Sequence, residues 1–177
     1  MPADVAKIIF GAGTFSIGAY VAAGGAGTLT DVGHTEGPVT LATTTETVDV
    51  GSEQVIGTMR RVPTGRTFKL KVPMKQAELE RLRVALLQPA ANLTGVAPDQ
   101  TLRVGTPAEQ YHQGQLVAKG PGTTSTRTIT LWKLFAENPE DIAYSKGPTP
   151  QIINVTFDAL YDESVTTADK HFKVVDS

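Results

Sequence analysis

The chain of 177 residues contains no cysteine and carries 16 basic against 18 acidic residues, a formal net charge of −2. This length fits one domain of ordinary size. The absence of cysteine excludes disulfides, thiol nucleophiles and cysteine-ligated metals, and the charge balance is unlike that of a general nucleic-acid binder. Only 19% of the residues are charged, below the usual quarter, which indicates that something other than water covers part of the surface.

The composition is that of a mainly β protein. The chain contains 24 Thr and 17 Val, with 17 Gly and 11 Pro as turn residues. Thr and Val are stiff at χ1 and fit a pleated surface, so strands are favoured over a helical bundle. We predict an α+β fold in which two packed antiparallel sheets form a β-sandwich or barrel with one flanking helix.

The N-terminal segment, residues 1–30, is predicted to be an extended arm or a first strand. No charged residue occurs between Ile8 and Thr30, but this stretch is too rich in Gly and Thr for a membrane-spanning helix. Apolar residues alternate from Phe15 to Val21, the period of a strand. Deletion of residues 1–24 is therefore expected to leave a folded domain that stacks poorly. The main domain is placed at residues 31–164.

The next segments predict a Thr-rich strand and a hairpin. Residues Val39–Val50 form the strand, and Val55–Val62 is expected to pair with Arg66–Val72 across the turn Pro63-Thr64-Gly65. One helix follows, predicted over Lys75–Gln88. Its Leu79, Leu82 and Leu86 form an apolar stripe that is expected to pack on a sheet, and Pro89 ends it.

The remaining strands are predicted at four positions before a C-terminal arm over residues 165–177. They are Thr101–Val104, Tyr111–Lys119, Ser125–Ala136 and Gln151–Tyr161. The arm shows no clear secondary-structure pattern. Its apolar residues, which could pack against another surface, are Phe172, Val174 and Val175.

Charge is unevenly distributed. Residues 60–83 hold eight of the 16 basic residues and two acidic ones, whereas residues 1–59 hold one basic and six acidic. The basic segment has two interpretations. It is either a face that binds an acidic partner, which is another copy of the chain or nucleic acid, or an ordinary solvated surface. The candidate assembly residues are the cations Arg60, Arg61, Lys69 and Lys71 and the tail residues Phe172 and Val174.

The sequence predicts no enzyme and no catalytic, cofactor-binding or metal-binding residues. The three histidines lack metal-ligand spacing, although His34 and Glu36 share a loop. No G-x-S-x-G elbow is present, and the glycines near residues 11–30 do not complete a phosphate-binding motif. Most of the length goes into strands and turns, which is typical of a structural or interaction protein.

The order of these segments resembles the major tail tube proteins of long-tailed, non-contractile bacteriophages. The resemblance is carried by GHTEGPVTL (Gly33–Leu41), RRVPTGRTFKLKVP (Arg60–Pro73) with AELERLRVALLQ (Ala77–Gln88), and TPQIINVTFDALYDES (Thr149–Ser164). It spans about residues 30–164. That family is similar to the tube proteins of contractile tails and of type VI secretion.

The resemblance implies a subunit of the virion tail, assembled in the host bacterial cytoplasm. Six copies would form a ring, and stacked rings would form a tube through which DNA passes during ejection. Its expected partners are further copies of itself and the tape measure, terminator and distal tail proteins. Viral DNA is expected to pass through the lumen without sequence-specific binding, and no membrane and no cofactor are expected. Because cations would retard sliding DNA, Glu46 and Asp49 are the lumen candidates, and charge reversal of Arg60, Arg61 and Lys69 is expected to impair assembly. The alternatives are a monomeric β-sandwich module that binds carbohydrate or peptide, and a type VI secretion-like tube protein.

Overall fold

The computed structural model describes residues 13–52, 55–75, 78–119, 126–137 and 151–177. Within these ranges the chain forms ten strands and one α-helix. In chain order these are β1 (Gly13–Ala19), β2 (Leu29–Asp31), β3 (Thr40–Ser52), β4 (Val55–Met74), α1 (Leu79–Ala85), β5 (Leu93–Thr94), β6 (Thr101–Leu102), β7 (His112–Lys119), β8 (Thr126–Ala136), β9 (Ile153–Ala159) and β10 (Phe172–Asp176).

Eight strands form one antiparallel sheet in the order β2-β1-β7-β8-β9-β4-β3, with β10 as an additional partner of β8. Strand β8 pairs with β7 along one edge, while its other edge pairs with β10 at residues 127–131 and with β9 at residues 134–136. Strands β5 and β6 form a second, two-stranded sheet. The predicted mainly β fold with one helix and two antiparallel sheets is confirmed, but the large sheet begins at β2 and ends at β3 and is not closed into a barrel.

The large sheet curves so that its two halves enclose the core. The rings of Phe15 on β1 and Phe157 on β9 are 6.4 Å apart, although two strands separate β1 from β9 in the sheet. Side chains of alternate residues on both halves fill the space between them, as in a β-sandwich. The largest fully buried apolar side chains are Phe15, Phe157, Leu70, Met74, Leu131, Leu134, Ile153, Val32, Val72 and Val155.

The predicted hairpin at Pro63-Thr64-Gly65 is wrong. Residues Val55–Met74 form one strand of 20 residues, and its hairpin partner is β3, with Ser52 paired to Val55. Gly65 lies opposite Glu46 and Pro63 lies opposite Thr47, so the strand carries a β-bulge between them. Proline lacks a backbone N–H and is tolerated in a sheet at such bulges, which explains why this turn-like triplet does not turn the chain.

The helix is shorter than predicted and buries a different face. It spans Leu79–Ala85, and Glu78 before it has extended backbone angles. The helix packs on the sheet as expected, but its buried residues are Arg81, Arg83, Val84 and Ala85. The predicted Leu stripe is only half-buried, although Leu82 does contact the core; Lys75 lies outside the helix, and Gln76 and Ala77 lie outside the described residues.

Both terminal segments contribute strands to the large sheet. Strand β1 pairs with β7 over seven residues and buries Phe15 and Ile17, so a deletion of residues 1–24 would remove part of the core. The truncation is therefore expected to destabilise the domain, and its folding stays a prediction; residues 1–12 lie outside the described range. Strand β10 pairs with β8, and the ring of Phe172 packs edge-on against Phe68 at 4.9 Å.

Candidate assembly surface

The β3–β4 hairpin extends beyond the packed core. Strand β3 is paired with β4 along all 13 of its residues, whereas β4 pairs with β9 only from Lys69 to Met74. A 13-residue strand spans about 43 Å at roughly 3.3 Å per residue. Every side chain from Ala42 to Val50 is exposed, and Val48 and Val50 are 53% and 47% accessible. Much of the hairpin is therefore a two-stranded ribbon outside the core.

The outer edge of β3 has no strand partner among the described residues. Strand β3 ends the sheet order, and its backbone hydrogen bonds in the described part of the chain all belong to the ladder with β4. An edge strand presents a row of unpaired N–H and C=O groups to any extended chain that approaches it. At the opposite end of the sheet, β2 has only three residues. The β3 edge is thus the longest sheet edge that no described strand covers.

The pairing register assigns the candidate residues to two faces of the hairpin. Residues directly opposite each other in an antiparallel pair project to the same face. Lys71 lies opposite Thr40 and Lys69 opposite Ala42, so both lysines lie on the face away from buried Leu70. Alternation along β3 places Glu46 on this outer face and Asp49 on the other. The two lumen candidates therefore lie on opposite faces of the hairpin.

Two of the predicted assembly cations are held within the chain. Arg61 donates two hydrogen bonds to Asp49, at 2.6 Å and 3.0 Å, and this contact raises the pKa of Arg61. Lys69 Nζ lies 2.5 Å from Glu137 and 3.7 Å from Asp158. The hydrogen bond to Lys69 lowers the pKa of Glu137, while burial and the nearby Glu137 raise the pKa of Asp158.

The other cations of the hairpin are available for contacts with another molecule. Arg60 and Arg66 are exposed and make no ion pair among the described residues. Lys71 likewise forms no ion pair in the described part of the chain, although it is near enough to Glu137 to help lower the pKa of that carboxyl. Arg60 and Lys71 are thus the two predicted assembly cations that make no ion pair among the described residues.

The candidate residues of the C-terminal arm differ in their exposure to solvent. Phe172 is turned into the molecule against Phe68, whereas Val174 and Val175 are 48% and 42% accessible. A double hydrogen bond between Arg127 and Asp176, at 2.7 Å each, fastens the end of β10 to β8. Phe172 therefore holds the tail in place, and only the two valines present apolar surface outward.

The sequence located β3 but not its position at the edge of the sheet. The sequence does contain a partial indication of an edge strand. Residues 42–50 (ATTTETVDV) have no large apolar side chain except two valines, which is unusual for a central strand. The edge itself depends on which strands pair, and pairing between distant segments cannot be read from local alternation.

Comparison with known proteins provides no assignment. No known family model matches the chain, and no curated protein is significantly similar to it. The described residues contain no helix long and apolar enough to cross a membrane. They also contain no group of three or more His, Asp or Glu side chains placed to hold a metal ion.

Proposed function

We propose that this protein is a self-assembling structural subunit, and specifically the subunit of a bacteriophage tail tube. The observation that carries the proposal is the 13-residue edge of β3, which no described strand covers, on a hairpin that extends beyond the core. An exposed edge of this length is a template for pairing with another chain, and natural monomers shorten or cover such edges. Pairing with a second copy would satisfy the open backbone groups.

The asymmetry of the sheet favours a ring or filament over a closed dimer. Its two ends differ in length, three residues in β2 against 13 in β3, and the chain segregates its acidic and basic residues. Different surfaces that meet head to tail generate rings or helical filaments. The tail-tube resemblance then supplies the particular proposal: stacked, hexameric rings in the virion tail, with tape measure, terminator and distal tail proteins as partners and DNA passing through the lumen.

The monomeric binding-module alternative would require an exposed aromatic platform. Trp132 is the only tryptophan, and it is half-buried with its indole N–H donating to the Asp169 carbonyl at 2.7 Å. This arrangement favours a packing role for Trp132 and leaves the assembly proposal as the better supported function. A type VI secretion-like tube would use the same open edge.

Proline substitutions at two adjacent positions of β3, Thr44→Pro and Thr45→Pro, test the proposal. In an antiparallel edge strand, successive N–H groups point alternately to the paired strand and to solvent. One substitution therefore breaks a ladder bond to β4, while the other removes only an outward donor. Electron microscopy of the purified wild type should show rings or tubes. The variant that keeps the wild-type melting temperature should remain monomeric.

A conservative Thr44→Ser variant serves as the control and should assemble as the wild type does. The proposal fails if the wild-type protein stays a discrete monomer at every concentration tested by sedimentation. It also fails if both proline variants assemble normally, because assembly would then not use the β3 edge.

A further inference from the structure

The β3–β4 hairpin has a second uncovered edge, which belongs to β4. Strand β4 pairs with β3 on one side, but on its other side it pairs with β9 only from Lys69 to Met74. Residues 55–68 of β4 therefore have no strand partner on that side among the described residues, and they make no backbone hydrogen bond outside the ladder within the described part of the chain. Each side of the hairpin thus presents unpaired N–H and C=O groups that another extended chain can bind.

The two uncovered edges carry opposite charge. Strand β3 contains two acidic residues and no basic one, whereas residues 55–68 of β4 contain three arginines and no acidic residue. Opposite charges on adjacent strands stabilise a sheet, and like charges placed directly opposite each other destabilise it. Two β3 edges that met would bring their carboxylates together, and two β4 edges would bring their arginines together. The charge pattern therefore favours contact between the β3 edge of one copy and the β4 edge of another.

Two of these charges are already paired within the hairpin, because Arg61 donates to Asp49. Glu46 on β3 and Arg60 and Arg66 on β4 are exposed and make no ion pair among the described residues. These three residues supply the charge that is available at the two edges.

Glu46 and Arg60 lie on the same face of the hairpin. Arg60 is opposite Val50, and alternation along β3 places Val50, Val48 and Glu46 on one face. Val62 is opposite Val48 on this face, and Val48 and Val50 are 53% and 47% accessible. When identical hairpins join with β3 against β4, strand direction alternates and the same face of each hairpin lies on the same side of the joint sheet. Glu46 of one copy and Arg60 of the next can therefore meet.

We propose that the β3 edge of one copy pairs antiparallel with the uncovered β4 edge of the next copy, with Glu46 opposite Arg60. In this register residues 44–51 of β3 lie along residues 62–55 of β4. The unpaired backbone groups of both edges are then satisfied, and exposed valines of the two copies become cross-strand neighbours. The contact is head to tail, so it continues from copy to copy.

The register also avoids the strands that already contact β4. Within one chain Arg60 lies opposite Val50, so the next copy is displaced by the four residues from Glu46 to Val50. This displacement is about 13 Å at roughly 3.3 Å per residue. The paired stretch of β4 ends at Val62, before the bulge at residues 63–65 and before Lys69, where β9 begins to pair. A stagger between neighbouring strands is also what the closure of a sheet into a barrel requires.

Exchange of charge between the two positions tests the pairing. Glu46→Arg and Arg60→Glu, each alone, place like charges opposite each other at every contact between copies. Each should raise the concentration needed for assembly about tenfold, which corresponds to about 1.4 kcal/mol per contact. An equimolar mixture of the two variants should assemble as the wild type does, because alternation of the two chains puts opposite charges at both edges. Light scattering at low salt, where exposed charges are least screened, measures assembly.

Arg103→Glu, at an exposed position outside the hairpin, is the matched control. Mixed with Glu46→Arg, it should give no assembly beyond that of the Arg103→Glu chain alone. Wild-type assembly of either single variant would overturn the proposal. No recovery in the mixture of Glu46→Arg and Arg60→Glu, when both keep the wild-type melting temperature, would also overturn it.

Disulfide formation gives a second readout, since the chain contains no cysteine. In the proposed register Thr44 of one copy lies opposite Val62 of the next. Opposite residues of antiparallel strands have Cα atoms about 4.5–5.5 Å apart, within disulfide range. A mixture of Thr44→Cys and Val62→Cys chains should form disulfide-linked dimers under oxidising conditions, whereas neither variant alone should do so. Dimers of Thr44→Cys alone would show that β3 edges meet each other and would overturn the proposal.

The inference rests on the proposed assembly, and the same experiments separate the two failures. A wild-type protein that never leaves the monomeric state overturns both. Rings or tubes of the wild type, together with failure of the charge exchange, leave the assembly proposal intact and overturn only this choice of edges.

Discussion

Gly114 shows how single positions constrain the core. It lies on β7 opposite Ile17 of β1 and Leu131 of β8. A Cβ at this position would lie 2.6 Å from Leu134 Cδ1 and 3.0 Å from Phe15 Cε2. Both neighbours are fully buried, so neither has free space into which to move. The rings and side chains of β1 and β8 thus close over a position that admits only a hydrogen atom.

Gly114→Ala is expected to destabilise the protein by about 1–3 kcal/mol, the range for overpacking a filled core. Gly105→Ala is the matched control, because no atom lies within 4 Å of the added methyl group and its φ requires no glycine. Urea unfolding of both variants measures the difference. Equal midpoints for the two proteins would contradict the packing described around Gly114.

A second single-residue feature is the network around Asp162, which joins the first and last parts of the described chain. Asp162 Oδ1 accepts from Tyr20 Oη at 3.0 Å, from Ser164 N at 3.0 Å and from Ser164 Oγ at 2.6 Å. The Ala23 amide donates to Ser164 Oγ at 2.7 Å. Burial opposes ionisation of Asp162, but these hydrogen bonds outweigh it, and the pKa of the carboxyl is lowered.

Asp162→Asn should reduce the free energy of unfolding by about 1–3 kcal/mol at neutral pH, because three donors lose a charged acceptor. A carboxyl whose folded pKa lies below the unfolded value of about 3.9 stabilises the protein above that pH. This stabilisation is lost as the pH falls through the folded-state pKa. Unfolding free energy measured between neutral and acid pH should therefore fall less in the variant; parallel curves would argue against the network.

At the scale of elements, α1 shows that the spacing of leucines does not by itself predict which face of a helix is buried. The spacing of Leu79, Leu82 and Leu86 predicts one buried face, but the helix has only two turns and buries Val84 and Ala85 instead. Burial of two guanidinium groups on this helix requires acceptors from Asp31, Glu80 and Gln88. None of these hydrogen bonds could be predicted from the order of residue types along the helix.

Val84→Ala is therefore expected to cost more than Leu86→Ala. Val84 is 5% accessible and belongs to the core, so loss of two methyl groups should cost roughly 2 kcal/mol with the cavity included. Leu86 is half-buried and lies outside the core cluster, and its truncation should cost less than about 1 kcal/mol despite removing more atoms. Chemical denaturation measures the loss of unfolding free energy in each variant. A larger loss for Leu86→Ala than for Val84→Ala would indicate that the leucine face of the helix is the buried one.

At the scale of the whole molecule, an open sheet and segregated charge agree with the proposed assembly. Arg60 lies near the end of the projecting hairpin without an ion-pair partner among the described residues, whereas Arg61 and Lys69 already have partners. Arg60 is therefore a cleaner probe than the triple reversal of Arg60, Arg61 and Lys69. Reversal of the other two would also place like charges against Asp49, Glu137 and Asp158.

Arg60→Glu is expected to slow assembly, and the defect should be larger at low salt because exposed charges are screened within about 8–10 Å at physiological ionic strength. Arg103→Glu, at an exposed position outside the hairpin, should have a smaller effect. Light scattering over a salt series gives the comparison. If the wild type binds duplex DNA and Arg60→Glu abolishes that binding while tubes still form, the hairpin contacts DNA instead of another subunit.

The sequence by itself determined the fold class and most of the strands. Thr and Val content and period-two alternation located β7, β8 and β9 to within three residues at each end, because burial on one face imposes that period locally. The same reasoning found β3, and the spacing of the leucines predicted the one helix. It also found the concentration of cations in residues 60–83, which needs no structure to be seen.

Only the tertiary structure decided what these elements do. It made Val55–Met74 one continuous strand, placed β3 at an open edge, and left residues 55–68 of β4 without a second strand partner among the described residues. Each outcome depends on pairing or packing between distant segments. Local propensity depends only on residues that are close in sequence. An open edge or an unsatisfied buried atom depends instead on which groups the distant parts of the chain leave unpaired.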